Sequence, residues 1–198
     1  MADRLNAIIS RDMTEGTVGS AYERYSSAAA LFFYHGDAGY KKIPQGLKYR
    51  KQVGAGRYFA RLLAAKLFSA SWFSDVDIVV PVPLHWKRRW ERGYNQAEVI
   101  AAELARVKGC TLQTGLLRRG KYTVSQTRLG IEEKRKNVSG AFGIVPEVAS
   151  RYYPSHILLA DDVFTTGATM VACHHALRGY YGTGTRISAA TLGFVDSG

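Results

Sequence analysis

Short apolar segments alternate with amphipathic segments over most of the sequence. Residues 77–83, 157–160 and 187–195 are predicted to be strands because they form apolar runs of the kind found in buried strands. Residues 95–108 and 168–180 are predicted to be helices, and the first of them has its apolar side chains at helical spacing. Strands separated by helices favour right-handed βαβ units with parallel strands. The sequence therefore predicts an α/β fold with a mostly parallel central sheet flanked by helices.

The N-terminal part of the chain has a different character. Residues 1–27 are polar, rich in Gly, Ser and Thr, and without a clear period, which predicts an arm. The run AAALFFY at residues 28–34 predicts a short buried strand, and residues 56–69 predict an amphipathic helix. A chain of 198 residues suits one domain. We therefore expect one domain over residues 28–198, preceded by the arm.

The sequence is strongly basic, with a net charge of +11 and a pI near 9.8. The basic residues form two clusters, one of Lys87, Arg88, Arg89 and Arg92, and one over residues 118–136. Such a surface attracts polyanions, which include nucleic acids, acidic membranes and phosphate-rich small molecules. A solvated face is the structural alternative for either cluster.

Composition and cysteine usage favour a reduced, soluble setting. With 46% apolar and 22% charged residues, the chain has the composition of a soluble globular protein. No apolar run approaches the roughly 18 residues of a membrane span and no secretory signal is evident, so we expect a cytoplasmic protein without membrane insertion. Cys110 and Cys173 stand alone, so this sequence offers neither a disulfide framework nor a cysteine-rich zinc site.

The segment DDVFTTGAT at residues 161–169 follows one predicted strand and leads into the next predicted helix. Backbone N–H groups at a helix start lack intrahelical partners and lie at the positive end of the helix dipole, so this segment predicts an anion site. The hydroxyls of Thr165, Thr166 and Thr169 add donors, and Gly167 lets the backbone approach a phosphate closely.

Two carboxylates, Asp161 and Asp162, precede the threonines. Burying them without partners would cost several kcal/mol, so they require hydroxyl donors or a hard divalent cation. A ribose diol and Mg²⁺ together supply both. A phosphate at one end of the segment and sugar hydroxyls at the other describe a ribose 5-phosphate site. An acidic strand end followed by a Thr-capped helix is the structural alternative.

This segment resembles the phosphoribosyl-diphosphate (PRPP) binding motif of type I phosphoribosyltransferases, and further segments resemble the ComF family. They are LKY at 47–49, VPVPLH at 80–85, RGYNQAE at 92–98, QTRL at 126–129, RKNV at 135–138 and GAF at 140–142. The resemblance covers residues 28–195 in order. ComF chains often begin with a four-cysteine zinc finger, which this sequence lacks.

The resemblance implies a type I phosphoribosyltransferase fold with a small N-terminal or hood element, and it implies a role for each motif. Asp161 and Asp162 would hold the ribose hydroxyls and Mg²⁺. The 5-phosphate would be wrapped by Thr165, Thr166, Gly167, Ala168 and Thr169. The diphosphate loop would consist of backbone at Pro83, Leu84 and His85, with the guanidinium of Arg88 or Arg89. A flexible loop over residues 118–136 would close over PRPP, with Arg128 and Lys134 as catalytic residues that neutralise diphosphate.

The implied reaction is attack of an acceptor on the anomeric carbon of PRPP with release of diphosphate. The acceptor is unidentified, and Thr165 stands where 6-oxopurine enzymes have an acidic residue. A glutamine-dependent amidophosphoribosyltransferase is a runner-up, but it needs an N-terminal cysteine and this chain begins with Met1. The alternative from another class is a competence- or DNA-uptake-associated protein that binds nucleic acid or regulates, and retains a PRPP pocket.

In that alternative, basic residues and aromatics such as Trp86, Trp90 and Tyr122 would bind the nucleic acid. Packing is the structural alternative for the two tryptophans. The expected partners are therefore PRPP, the acceptor, single-stranded DNA and a second copy of the chain as a homodimer.

Overall fold

In a computed structural model, residues 27–35, 53–120 and 140–196 are described. The strands are β1 (Ala28–His35), β2 (Ile78–Pro81), β3 (Thr111–Leu112), β4 (Leu117–Arg119), β5 (Phe142–Ile144), β6 (His156–Phe164) and β7 (Arg186–Asp196). The helices are α1 (Val53–Leu67), α2 (Trp86–Arg92), α3 (Gln96–Lys108), α4 (Pro146–Ala149) and α5 (Ala168–Tyr181), with a 3₁₀ turn at Ser71–Phe73. The arm predicted at residues 1–27 lies outside the described residues, apart from Ser27.

Five strands form the central sheet in the order β1-β7-β6-β2-β3, and every neighbouring pair is parallel. The predicted α/β fold with a parallel central sheet is therefore confirmed, and it is consistent with a type I phosphoribosyltransferase-like fold. Strands β4 and β5 pair antiparallel in a separate two-stranded sheet. This small sheet joins the two ends of residues 121–139, which lie outside the described residues.

The helices cover both faces of the central sheet, as a parallel sheet requires. On one face, α1 and α3 pack over Val79 and Leu158. On the other face, α5 packs over Val80 and Leu159. Because neighbouring residues of a strand point to opposite faces, a continuous apolar run supplies both cores at once. Within residues 27–35, 53–120 and 140–196, no helix is both long and apolar enough to cross a membrane.

Local signals place the ends of α3 where the sequence predicts them. The Asn95 side chain caps the helix by accepting a hydrogen bond from the Ala97 N–H at 3.1 Å. The helix stops at Gly109, which has a left-handed φ of 74°. Helix α1 begins three residues before its predicted start at residue 56, and α2 was not predicted as a helix.

Strand β6 is longer than predicted, and this corrects the placement of the two carboxylates. The apolar run ends at residue 160, but the strand continues to Phe164 because β7 runs beside it and pairs Asp161 with Thr191. Pairing of β6 with β2 ends at Ala160. Asp161 and Asp162 therefore lie within the strand, on the part that extends beyond β2.

A buried histidine joins the amino ends of the central strands. The His156 Nδ1 atom lies 2.9 Å from Asp75 Oδ1, and its Nε2 atom lies 2.8 Å from Ser188 Oγ. The Ser188 hydroxyl oxygen also accepts a hydrogen bond from the Ser27 N–H at 3.3 Å. This is the order of groups in a catalytic triad, but the ring and the hydroxyl are both buried. The arrangement therefore holds β6, β7 and β1 together.

A second buried histidine, His174 on α5, differs from His156 in its hydrogen bonding. Neither ring nitrogen has a hydrogen-bond partner among the described residues. Burial lowers the pKa of His174 from its ordinary value of 6.5 to about 3, with help from the charges of Arg178 and His175. The folded chain therefore keeps this imidazole neutral over a pH range in which an unfolded chain protonates it.

We therefore expect the fold to become less stable in acid, and we expect His174 to account for part of that loss of stability. Between pH 6.5 and about pH 3 the unfolded state binds one more proton at this site. The free energy of unfolding should therefore fall by up to about 1.4 kcal/mol per pH unit as the pH drops. Urea unfolding at several pH values should show a smaller slope in His174→Leu, whereas the exposed neighbour variant His175→Leu should keep it. Equal slopes in both variants would contradict the assignment.

Candidate functional site

The topology of the sheet defines where a ligand should bind. From β2 the chain passes through α2 and α3 to β3, and from β6 it passes through α5 to β7. These connections run in opposite directions from the neighbouring strands β2 and β6. In open α/β sheets, ligands bind beyond the carboxyl ends of strands at such a switch point. The predicted phosphate and diphosphate segments both lie there.

The turn between β6 and α5 is accessible. Thr165 is exposed, while Thr166, Ala168 and Thr169 are partly exposed. Gly167 precedes the first helical residue, and no side chain of the described residues caps the helix. At the N-terminal end of α5, the Val171 N–H donates a hydrogen bond to the Gly167 carbonyl at 2.8 Å. The structure thus brings hydroxyls and a helix start to one open turn, as a phosphate site requires.

Gly167 is needed for a reason other than ligand approach. Its φ is 74°, a left-handed conformation that favours glycine. A Cβ atom here would lie 2.6 Å from Cζ of Phe164, which stacks on Phe194 at 5.5 Å between ring centroids. From the sequence we predict that the missing side chain leaves room for a phosphate. In the structure that space is occupied by the Phe164 ring.

The two carboxylates point to opposite faces of the sheet. Leu159 packs under α5 and Ala160 packs in the cluster of α1 and α3. Alternation along β6 therefore directs Asp161 to the α5 face and Asp162 to the α3 face. One Asp161 oxygen accepts a hydrogen bond from the Asp162 N–H at 2.8 Å.

The neighbours of each carboxylate agree with this assignment. Burial raises the pKa of the Cys173 thiol on α5, and the charge of Asp161 raises it further. Burial raises the pKa of the Tyr94 phenol, which precedes α3, and the charge of Asp162 acts in the same direction. Tyr94 therefore belongs to the site.

A cluster of basic side chains lies at the neighbouring loop. His85 is buried and caps α2 by accepting a hydrogen bond from the Lys87 N–H at 3.3 Å through Nδ1. Burial lowers the pKa of His85, and the charges of Arg119, Arg88 and Lys87 lower it further. We call Arg88 and Arg119 the cationic cluster; His85 lies beside it, and its lowered pKa favours the neutral ring.

Arg119, at the end of β4, is the member of the cationic cluster to which the sequence analysis assigned no role. Its guanidinium carbon lies 5.1 Å from the ring centroid of Phe142 on β5. Burial lowers the pKa of Arg119, and the charge of Arg88 lowers it further, whereas Asp161 acts in the opposite direction. Arg119 lies inside the loop predicted over residues 118–136, and this position was the signal that could have indicated it; in the structure it ends strand β4.

The structure distinguishes the two arginines proposed for the diphosphate loop. Arg88 belongs to the cationic cluster, whereas Arg89 forms an ion pair with Glu98 on α3 at 2.6 Å. The loop itself is held in place, because the Val82 N–H bonds the Ala160 carbonyl at 2.9 Å and the Asn95 amide bonds the Val82 carbonyl at 3.0 Å.

Other predicted site residues have simpler outcomes. Pro83 and Leu84 lie in the loop between β2 and α2 and are partly exposed. Arg128 and Lys134 lie outside the described residues, so their catalytic role stays a prediction. Among the described residues, no group of three or more His, Cys, Asp or Glu side chains could hold a metal ion.

The donor set fits Mg²⁺ in a limited way. Mg²⁺ typically takes one or two protein carboxylates, with phosphate and water oxygens completing its octahedron. Because Asp161 and Asp162 face opposite sides of β6, one ion would meet one of them directly, with the remaining ligands supplied by substrate and water. Either carboxylate can serve in this way, and the other remains available for hydroxyl groups.

The fold and the switch-point site define the class of protein: an α/β protein of type I phosphoribosyltransferase-like architecture. The chain belongs to the ComF family. It is 32% identical to Competence protein F of Haemophilus influenzae over 138 residues, which cover 68% of this chain and 59% of that protein. It is 30% identical to the DNA utilization protein YhgH of Salmonella typhimurium over 127 residues, covering 63% of this chain and 54% of that protein.

The YhgH protein of Escherichia coli K12 is 29% identical over the same length. The chain thus spans somewhat over half the length of the curated relatives that it matches. No family model matches the sequence.

Proposed function

We propose that the crevice at the carboxyl ends of β2 and β6 binds PRPP together with Mg²⁺. One observation carries this proposal: negatively and positively charged side chains come together at the switch point. Carboxylates and an open helix start belong to β6 and α5, while the cationic cluster belongs to α2 and β4. PRPP has the matching order of a phosphate, a ribose diol and a diphosphate.

The residues take their roles from this order. Backbone N–H groups and hydroxyls of the Thr165–Thr169 turn bind the 5-phosphate. One of the carboxylates Asp161 and Asp162 accepts hydrogen bonds from ribose hydroxyls, and the other is available to Mg²⁺. The cationic cluster binds the diphosphate, for which Arg88 offers a planar guanidinium. When bound with the substrate, Mg²⁺ would neutralise part of the diphosphate charge.

The reaction that this site would support is transfer of the phosphoribosyl group. An acceptor atom forms a bond to C1 of the ribose, the bond from C1 to the diphosphate oxygen breaks, and the electron pair leaves with diphosphate. Arg88 and Arg119 would stabilise the charge that develops on the leaving group. The predicted loop with Arg128 and Lys134 would exclude water when it closes.

The relatives support a second, coarser statement about biological role. Their names refer to competence and to DNA utilization. We propose that this protein also serves the uptake or use of DNA. PRPP would then be either a substrate or a signal that the pocket detects.

Calorimetry tests the pocket directly. We expect PRPP with Mg²⁺ to bind, and Asp162→Asn to weaken binding about tenfold or more, since a hydrogen bond to a charged group contributes about 1.5–3 kcal/mol. Glu147→Gln, which removes an exposed carboxylate on α4, is the matched control and should bind normally. Absence of PRPP binding, or equal binding by both variants, would overturn the proposal.

An assay of diphosphate release distinguishes a catalytic pocket from a regulatory one. An enzyme should release diphosphate from PRPP when its acceptor is added. Binding without release across nucleobases, amines and nucleic acids would favour a regulatory pocket.

A further inference from the structure

Three arginines surround one glutamate where helices α1 and α3 pack together. The Glu103 carboxylate on α3 accepts a hydrogen bond from the Arg61 Nε–H at 3.1 Å and another from the Arg106 Nε–H at 3.0 Å. The Nε atom of Arg57, one turn before Arg61 on α1, lies 3.9 Å from the same carboxylate. We call Arg57, Arg61 and Arg106 the arginine rim. Three positive charges thus meet one negative charge, and the group stays positive overall.

The glutamate and the arginine rim differ in exposure. The side chain of Glu103 is 9% exposed, whereas each side chain of the rim is more than half exposed. The hydrogen bond from Arg61 lowers the pKa of Glu103, and Arg106 lowers it further, although burial acts in the opposite direction. Glu103 therefore stays ionised beneath the arginine rim, and the described residues supply the rim with no second carboxylate.

Joining α1 to α3 is the structural alternative for this group, but it does not require three arginines. The hydrogen bond between Arg61 and Glu103 already links the two helices. Arg57 lies beyond hydrogen-bond distance, and an exposed ion pair contributes little to stability. Guanidiniums that share one carboxylate also repel each other. The arginine rim therefore has capacity for further negative charge, which a partner can supply.

Exposed apolar side chains accompany the arginine rim. Tyr58, Leu62 and Val107 are each at least 40% exposed, and each directly follows one rim arginine in the sequence. Successive residues of a helix point about 100° apart, so the apolar and the cationic side chains share one surface. Helix α1 contains no acidic residue that could oppose them. A partner that covers this surface therefore meets apolar and cationic groups side by side.

These two properties favour a protein segment over a phosphate. A phosphate ion concentrates its charge at one point, where the ionised Glu103 would repel it. Carboxylates one turn apart on a helix lie about 5–6 Å from each other, and each can meet a different guanidinium. A phosphate backbone has no apolar side chains with which to cover Leu62 and Val107, whereas such a helix can present them beside its carboxylates.

From this arrangement we propose that the outer surface of α1 and α3 binds an acidic amphipathic helix of a partner protein. The carboxylates of that helix pair with the arginine rim, and its apolar side chains cover Tyr58, Leu62 and Val107. The positive charge of the surface speeds the encounter, since charges at the edge of an interface act mainly on the association rate. This surface includes none of the residues assigned to PRPP, so the inference is independent of the proposed function.

Fluorescence anisotropy of a labelled peptide tests this inference on the full chain. The probe is a helical peptide of Glu, Leu and Ala in which glutamates and leucines each recur at intervals of three and four residues. We expect the wild type to bind it and Arg57→Glu to weaken binding about fivefold or more, because reversal of the charge replaces attraction by repulsion. Arg57 lies beyond hydrogen-bond distance of Glu103, so this variant should keep the melting temperature of the wild type.

A matched control separates the arginine rim from the general charge of the protein. Arg151→Glu makes the same change of net charge at an exposed arginine outside α1 and α3, and it should leave peptide binding unchanged. Failure of the wild type to bind the peptide, or equal weakening by Arg57→Glu and Arg151→Glu, would overturn the inference.

Further measurements identify the kind of partner. Leu62→Ser in the protein, or serine in place of leucine in the peptide, should weaken binding about threefold or more, because apolar contact area is lost. Equal affinity for the serine and leucine peptides, or loss of duplex DNA binding in Arg57→Glu but not in Arg151→Glu, would overturn the inference in favour of phosphates. Sedimentation that shows a dimer of the wild type but not of Arg57→Glu would overturn it in favour of a second copy of this chain.

Discussion

Replacing His156 with leucine should lower the free energy of unfolding by about 2–3 kcal/mol. The imidazole lies within hydrogen-bond distance of Asp75 on one side and of Ser188 on the other, and it is fully buried. Leucine fills a similar volume but leaves the buried Ser188 hydroxyl without this partner. A buried polar group that loses its partner costs about 1–3 kcal/mol. The loss should be larger than for an ordinary apolar exchange, because it loosens β6 from β7.

Urea unfolding followed by circular dichroism measures this effect. His174→Leu is the matched control at neutral pH, since it removes a buried imidazole whose nitrogens have no hydrogen-bond partner among the described residues. We expect it to leave the stability unchanged or to raise it, because no hydrogen bond is lost and an unsatisfied polar group is removed. Equal destabilisation by the two substitutions would show that the hydrogen bonds of His156 are not the cause.

Replacing Gly167 with alanine should both destabilise the protein and abolish measurable PRPP binding at concentrations that saturate the wild type. The left-handed φ of 74° costs an alanine roughly 1–2 kcal/mol. In addition, the new methyl group would meet the Phe164 ring, which cannot withdraw freely because it stacks on Phe194. Relief of this clash requires the turn to move, and the turn carries the proposed phosphate site.

Two further glycines separate the causes. Gly93→Ala has the same backbone problem, with a φ of 80°, but a Cβ there meets nothing within 4 Å. Gly179→Ala lies inside α5 with open space around it and should stabilise the helix by about 0.5–1 kcal/mol. The melting temperature should therefore fall most for Gly167→Ala, less for Gly93→Ala, and rise for Gly179→Ala. A fall no larger than that of Gly93→Ala would exclude the contact with Phe164 as a cause.

The sequence predicted those elements whose signals are local. The cap at Asn95 and the stop at Gly109 define α3 without reference to the rest of the chain, because the hydrogen bonds at helix ends are made within a few residues. The start of α5 at Ala168 was also predicted, from the order of the segment DDVFTTGAT before it and without a side-chain cap. By contrast, the predicted end of β6 was wrong, because pairing with the neighbouring strand β7 determines where β6 ends.

The candidate site likewise has one part that the local sequence predicts and another part that only contacts between distant residues bring together. The threonine turn and the two carboxylates are contiguous, so their order along the chain already describes a phosphate next to sugar hydroxyls. The cationic cluster combines Arg88 with Arg119, which lies far from it in sequence. No local pattern could tell that Arg88 joins this cluster while Arg89 pairs with Glu98.

Thus the sequence alone determined the alternation of strands and helices, the parallel sheet and the segment proposed to hold a sugar phosphate, since each depends on the chemistry of neighbouring residues. Only the tertiary structure decided which face each carboxylate takes, which arginine approaches the site and which histidine is bonded. These outcomes depend on contacts between residues distant in the chain, and such contacts exist only after the sheet has assembled.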